Sequence, residues 1–147
     1  MNVLSRIVKI AGQALHIQTI TLPFNPVPAS RPRVTRWGVF YGKTYMAWRK
    51  LAEAHLVKGN LDLTCPLLVV VESVRQNPKT KSKKTHPRGD VDNYAKAPLD
   101  SIGKADGYWY DDDQIVYLLT CKRWARRDED PHQTVEIYTV ADEDTRP

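Results

Sequence analysis

Between Asp90 and Gln114 the chain reads DVDNYAKAPLDSIGKADGYWYDDDQ, and most of its candidate chemistry lies there. Asp90 and Asp92 are carboxylates one residue apart, Lys96 follows four residues after Asp92, and Asp111, Asp112 and Asp113 stand in a row after an aromatic turn. In an extended segment Asp90 and Asp92 point to one side and Val91 to the other. In a helix starting at or just after Asp92, Lys96 lies one turn on, on the same face. Carboxylates brought together repel one another unless a cation relieves them. Hard oxygen donors with positions left for water or phosphate suit Mg²⁺, and a neighbouring lysine has the sign to hold a phosphate. The combination points to metal-assisted cleavage of a phosphodiester. The plain alternative is that Asp92 caps a helix and the aspartate run is a solvated turn, because Asp-x-Asp alone recurs by chance.

Taken together, Asp90-Val-Asp92-Asn93-x-x-Lys96, Leu99-Asp100, Trp109-x-Asp-Asp and Gln114-Ile-Val resemble the RusA family of Holliday-junction resolvases. The resemblance spans about Ile17 to Val140 and is most specific from Asp90 to Val116. It implies that Asp90, Asp92 and Asp112 bind Mg²⁺, with Mn²⁺ as a substitute, and that Lys96 is essential for cleavage. Asp112 is assigned by counting from Trp109; in an extended segment Asp111 and Asp113 would share the opposite side. The implied activity is a homodimeric endodeoxyribonuclease that resolves four-way junctions, where two-fold symmetry suits paired nicks on opposed strands. Flap or fork cleavage, and junction binding without cleavage, are the competing readings.

The +5 net charge is concentrated. Arg75, Lys79, Lys81, Lys83, Lys84 and Arg88 fall within fourteen residues that hold no acid, and setting these six cations aside leaves −1. A local basic run suits a contact surface for polyanions. Arg31, Arg33 and Arg36 lie among Pro26, Pro28 and Pro32, in a segment kept extended by proline. It reads either as an irregular loop or as a semi-rigid arm carrying arginines to phosphates; the resemblance favours the arm and DNA contact.

At 147 residues the chain is expected to be one domain. No run suits a membrane crossing, and the N-terminus lacks signal-peptide architecture, so a cytoplasmic site is expected. Cys65 and Cys121 lack metal-site spacing and are expected to be reduced, buried and structural. The fold class is α+β: a mixed β-sheet with two packed helices, as in RusA-like proteins. It comprises an N-terminal extension over 1–16, the nuclease domain over 17–140 and a tail over 141–147.

Within that frame, Ile7, Val8 and Ile10 suggest a short strand closed by a turn at Gly12-Gln13. Ile17–Leu22 alternates as a strand. Lys43–Lys58 reads as a helix with Ala47, Leu51 and Ala54 on one stripe. Leu67–Val74 is apolar enough for a central strand. The helix after Asp92 carries Ala95, Leu99 and Ile102 toward the core. Pro98 fits it either by lying in its first turn or by kinking it beyond Lys96. Ile115–Trp124 and Thr134–Val140 complete the strands, joined by a charged connection.

Overall fold

The computed structural model describes residues 2–61, 63–78, 85–141 and 145. Among them the order is α1 (Val3–Gln13), β1 (Leu15–Leu22), β2 (Arg33–Thr35), β3 (Gly38–Phe40), α2 (Lys43–His55), β4 (Leu67–Arg75), α3 (Val91–Lys104), a 3-10 turn at Asp112–Gln114, β5 (Ile115–Trp124) and β6 (His132–Thr139). The main sheet has the order β1-β6-β4-β5, and β2 and β3 form a separate hairpin. β4 runs parallel to β5 and antiparallel to β6, so the sheet is mixed and the fold is α+β.

The parallel pair fixes the position of α3. A chain leaving the end of β4 must return along the sheet before β5 can run beside β4, and α3 supplies that crossover. Its N-terminus therefore lies toward the ends of β4 and β5, and its C-terminus toward their beginnings.

β4 carries Leu67, Val69 and Val71 to one face and Leu68 and Val70 to the other. The first set packs with α2, α3, Val135 and Ile137, and Leu22, Val69, Ala95 and Ile102 are fully enclosed there. The second set meets Ile10 of α1 with Tyr117, Leu119, Tyr138 and Val140.

Several elements depart from the sequence expectation. Residues 3–13 are a helix, not a strand, started by Asn2, whose Oδ1 accepts the Ser5 N–H at 2.8 Å. Its single buried residue is Ile10, with Ala11 packed partly buried beside it on the back of the sheet, so little burial marks the helical period in the sequence. α2 ends at His55, and its core stripe is Tyr45, Trp48 and Ala52 rather than Ala47, Leu51 and Ala54; Leu51 is 53% exposed. The large aromatics Tyr45 and Trp48 set the rotation of the helix.

α3 begins at Val91, which places Pro98 inside it. Pro98 has no N–H for the carbonyl of Tyr94, four residues earlier. The amide of Gln133 on β6 donates to that oxygen at 2.9 Å and to Ser73 Oγ at 2.8 Å. Pro98 therefore does not lie in the first turn, and a buried side chain from the sheet supplies the donor that it lacks. Both cysteines are free, but Cys121 is exposed and Cys65 partly so, since edge-strand β5 leaves one side of Cys121 uncovered.

Candidate active site

Asp90 occupies the N-cap position of α3 with extended backbone and makes no side-chain capping bond. Asp92 is in the first turn. Both are exposed, and among the described residues neither carboxylate has a hydrogen-bond or ion-pair partner. Helix capping therefore does not account for them.

Their backbone, in contrast, is held from several directions. Lys122 of β5 donates from Nζ to the carbonyls of Pro87, at 2.7 Å, and Gly89. Tyr94 donates its hydroxyl to the Arg88 carbonyl. The Ala29 N–H donates to Asn93 O at 2.9 Å. Gly89 has φ +95°, and a Cβ there would meet Pro28 and the Tyr94 ring, so this close approach requires glycine.

Lys96 lies one turn beyond Asp92 with a 63% exposed side chain, and its Nζ is 3.8 Å from Asp100 Oδ2. Asp100 also accepts from Tyr45 Oη at 3.2 Å, which ties α3 to α2. Burial first, and the charge of Asp100 second, push the Tyr45 phenol up to about 12. The Arg49 guanidinium lies 5.7 Å from the Tyr45 ring centroid and pairs with Glu53 at 2.8 Å.

The aspartate run divides its roles. Asp111 accepts the Asp113 N–H at 3.0 Å, while Gln114 Oε1 accepts the N–H groups of Tyr110 and Asp111, a reciprocal cap on the 3-10 turn. Asp112 Oδ1 accepts from Trp109 Nε1 at 2.7 Å. Asp112 also lies beside Gly103, at the far end of α3, where an added Cβ would come within 3.3 Å of its Oδ1. It lines a cleft with Asp100, Arg49, Lys104 and Trp109.

Gly103 is eleven residues from Asp92, about 16 Å along a helix. Val91 and Asp92 are already helical, so the run is not the extended segment that would align its two carboxylates; Asp90 and Asp92 share the N-terminal end of α3, while Asp112 of the same chain lies at the opposite end. Among the described residues no three carboxylate, histidine or cysteine side chains form a metal-binding group. The free Asp90–Asp92 pair suits a hard cation with open positions; the full trio does not fit one ion within one chain.

The model of the endodeoxyribonuclease RusA family matches residues 23–138, from the end of β1 into β6. The chain belongs to the RusA endodeoxyribonuclease family. No curated protein matches it.

The basic residues of this RusA family chain fall into separate groups. Arg31, Arg33 and Arg36 are exposed on the arm formed by β2 and β3. Arg88 is exposed two residues before Asp90. Arg75 instead donates to the Pro26 carbonyl and lies 6.0 Å from the Tyr94 ring centroid, so it braces the arm's base. Lys79, Lys81, Lys83 and Lys84 lie outside the described residues. Sequence reading passed over Lys122, a strand-end cation with nothing to mark it, and the Tyr45–Asp100 tie, which joins residues 55 apart. No helix is long and apolar enough to cross a membrane among the described residues.

Proposed function

We propose that this RusA family chain is a Mg²⁺-dependent, structure-selective endonuclease that acts as a homodimer and resolves four-way DNA junctions by paired nicks. The observation that carries it is the start of α3: Asp90 and Asp92 stand there as exposed carboxylates, unpartnered among the described residues, on a heavily braced backbone, with Lys96 one turn away.

Mg²⁺ bound there would activate water and neutralise charge on the scissile phosphate. The chain's own groups supply the rest. Asp90 and Asp92 hold the cation, and exposed Lys96 meets a phosphate oxygen. Because Asp90 does not cap α3, the first-turn N–H groups are also left to face the anion.

The distance of Asp112 from the pair is an argument for two copies. Among the described residues β5 is an edge strand whose outer side has no partner in the sheet, and Val116 and Leu118 on it are 43% and 44% exposed. A two-fold axis at the middle of β5 would bring the start of one strand, with Asp112, to the end of the other. There Lys122 holds the Gly89–Asp90 backbone. Each site would then combine Asp90, Asp92 and Lys96 of one copy with Asp112 of its partner.

The test is cleavage of a labelled four-way junction, with and without Mg²⁺, against linear duplex and flap controls, by wild type, Asp92→Asn, Asp112→Asn and a mixture of the two variants. Each variant alone is expected to bind without cutting. The mixture restores cleavage, because its mixed dimer contains one site with all three carboxylates. A silent mixture from subunits shown to exchange would return the site to a single chain. Equal cutting of flaps would broaden the substrate class.

A further inference from the structure

The arm carries a feature that phosphate contact leaves unused. β2 and β3 pair as Arg33↔Phe40, Val34↔Val39 and Thr35↔Gly38, with Arg36 and Trp37 at the turn. Both faces of this hairpin are open. Val34 is 80% and Trp37 76% exposed, and Val39 and Phe40 are also uncovered. The other three tryptophans are buried or half-buried. An apolar two-stranded hairpin standing alone in water gains little from its own contacts.

The arm is nonetheless built firmly. Thr35 Oγ1 accepts the Trp37 N–H and donates to the Gly38 carbonyl, each at 3.2 Å, and Gly38 takes φ +129° to close the turn. Ser30 Oγ accepts the Gly42 N–H at 3.0 Å across the base. The base is fixed in turn to α3 through the Ala29–Asn93 bond, next to Asp92. A rigid tip therefore projects from beside the candidate site, and three arginines make it attractive to a polyanion rather than to an apolar protein. At the tip, the Arg36 guanidinium lies 4.6 Å from the centroid of the Trp37 ring. A cation stacked on one face leaves the other face of the indole for a flat, electron-poor ring system.

We infer that Trp37 is a base-stacking residue: it packs its free indole face on an unstacked nucleobase at the branch of the DNA while Arg36 and Arg33 hold the flanking phosphates. A branch point offers such bases, whereas intact duplex keeps its bases covered. Trp37 would thus distinguish branched from linear DNA, and the inference rests on the junction-cleaving reading for its substrate.

The experiment measures affinity without metal, so that nothing is cut, for wild type, Trp37→Ala and Trp37→Phe. The probes are a synthetic four-way junction, the matched duplex and an unstructured single strand. Indole fluorescence is followed in the same titrations. Trp37→Ala is expected to lose about tenfold in junction affinity, in line with the loss of one stacked base. Its duplex affinity should stay within about twofold, since stacking and not phosphate contact was removed. Trp37→Phe should keep most of the junction affinity. Junction and single strand should quench wild-type emission and leave Trp37→Phe emission nearly unchanged.

Equal losses on junction and duplex, or quenching that survives in Trp37→Phe, would overturn the inference. A shift of Trp37→Ala from dimer to monomer in sedimentation would also overturn it, by assigning the hairpin to a protein contact. If wild type shows no junction preference, the functional reading fails; quenching by the single strand still decides for or against Trp37.

Discussion

Gln133 Nε2 lies 2.9 Å from the Tyr94 carbonyl, the acceptor that Pro98 leaves without a helical donor. The bond joins β6 to the helix that carries Asp92 and Lys96. Gln133→Leu is expected to cost about 1–3 kcal/mol, the usual penalty for leaving a buried acceptor unpaired. In a Pro98→Ala background the alanine restores a backbone N–H, and the same Gln133 substitution should cost less. Urea denaturation of the four proteins in the double-mutant cycle measures the difference; equal costs in both backgrounds would separate Gln133 from Pro98.

Trp109 fixes Asp112 through the 2.7 Å bond from its Nε1. Trp109→Phe keeps an aromatic ring in the core and removes that donor. Cleavage should fall about tenfold, the loss that follows when a supporting hydrogen bond to a functional ligand is removed. Junction affinity in the absence of metal should hold. Single-turnover cleavage beside a binding isotherm separates the two.

Lys122 reaches across from β5 to the carbonyls of Pro87 and Gly89. Lys122→Met retains the stem and loses the ammonium. Cleavage is expected to drop by one to two orders of magnitude, because a small displacement of reacting groups is costly. The apparent Mg²⁺ requirement should rise in the same assay. An unchanged metal titration would make Lys122 a fold contact alone.

Arg123 bridges Glu72 at 3.4 Å and Glu129 at 2.6 Å. Its hydrogen bonds hold the Glu129 carboxyl down to about 2, below the ordinary value of 4.5. The folded protein therefore favours the carboxylate, and this stabilisation is present above pH 4.5 and lost as pH falls toward 2. Glu129→Gln should flatten the loss of stability between those limits, measured by denaturant titration at several pH values: its midpoint lies below the wild-type one near neutrality, by a small margin because the pair is solvent-screened, and the two converge toward pH 2.

Neutralising Lys81, Lys83 and Lys84 together should weaken binding to junction and duplex alike. The slope of log affinity against log salt should become shallower by roughly 2–3, at about 0.9 per lost phosphate contact. An unchanged slope would make that run a solvated face.

The sequence showed the fold wherever its pattern had many votes. Leu67–Val74 is nearly all apolar, and β4 covers Leu67–Arg75; Ile115–Trp124 has the same bounds in the structure. Where one or two contacts decide, pattern was a poor guide. Ile10, with Ala11 beside it, seats α1, and Tyr45 and Trp48 turn α2 away from its aliphatic stripe. Within the site, the helix that starts beside Asp92 and the one-turn spacing from Asp92 to Lys96 are local and could be read directly. The end of α3 at which Asp112 lies is set by the β4–β5 crossover, and local spacing holds no record of that. Pro98 stood out in the sequence, but its compensation by Gln133 joins residues 39 apart, a distance that no local rule covers.

Helix α1 lies against Leu68, Val70 and Val140, on the face of the sheet turned away from α2 and α3. Helix α1 is thus a natural handle. A tag or surface tether attached there would hold the molecule by its back and leave the arm and the start of α3 toward solution, whereas anchoring through Lys96 would cover the start of α3. Immobilised binding measurements on this protein should therefore depend on the point of attachment.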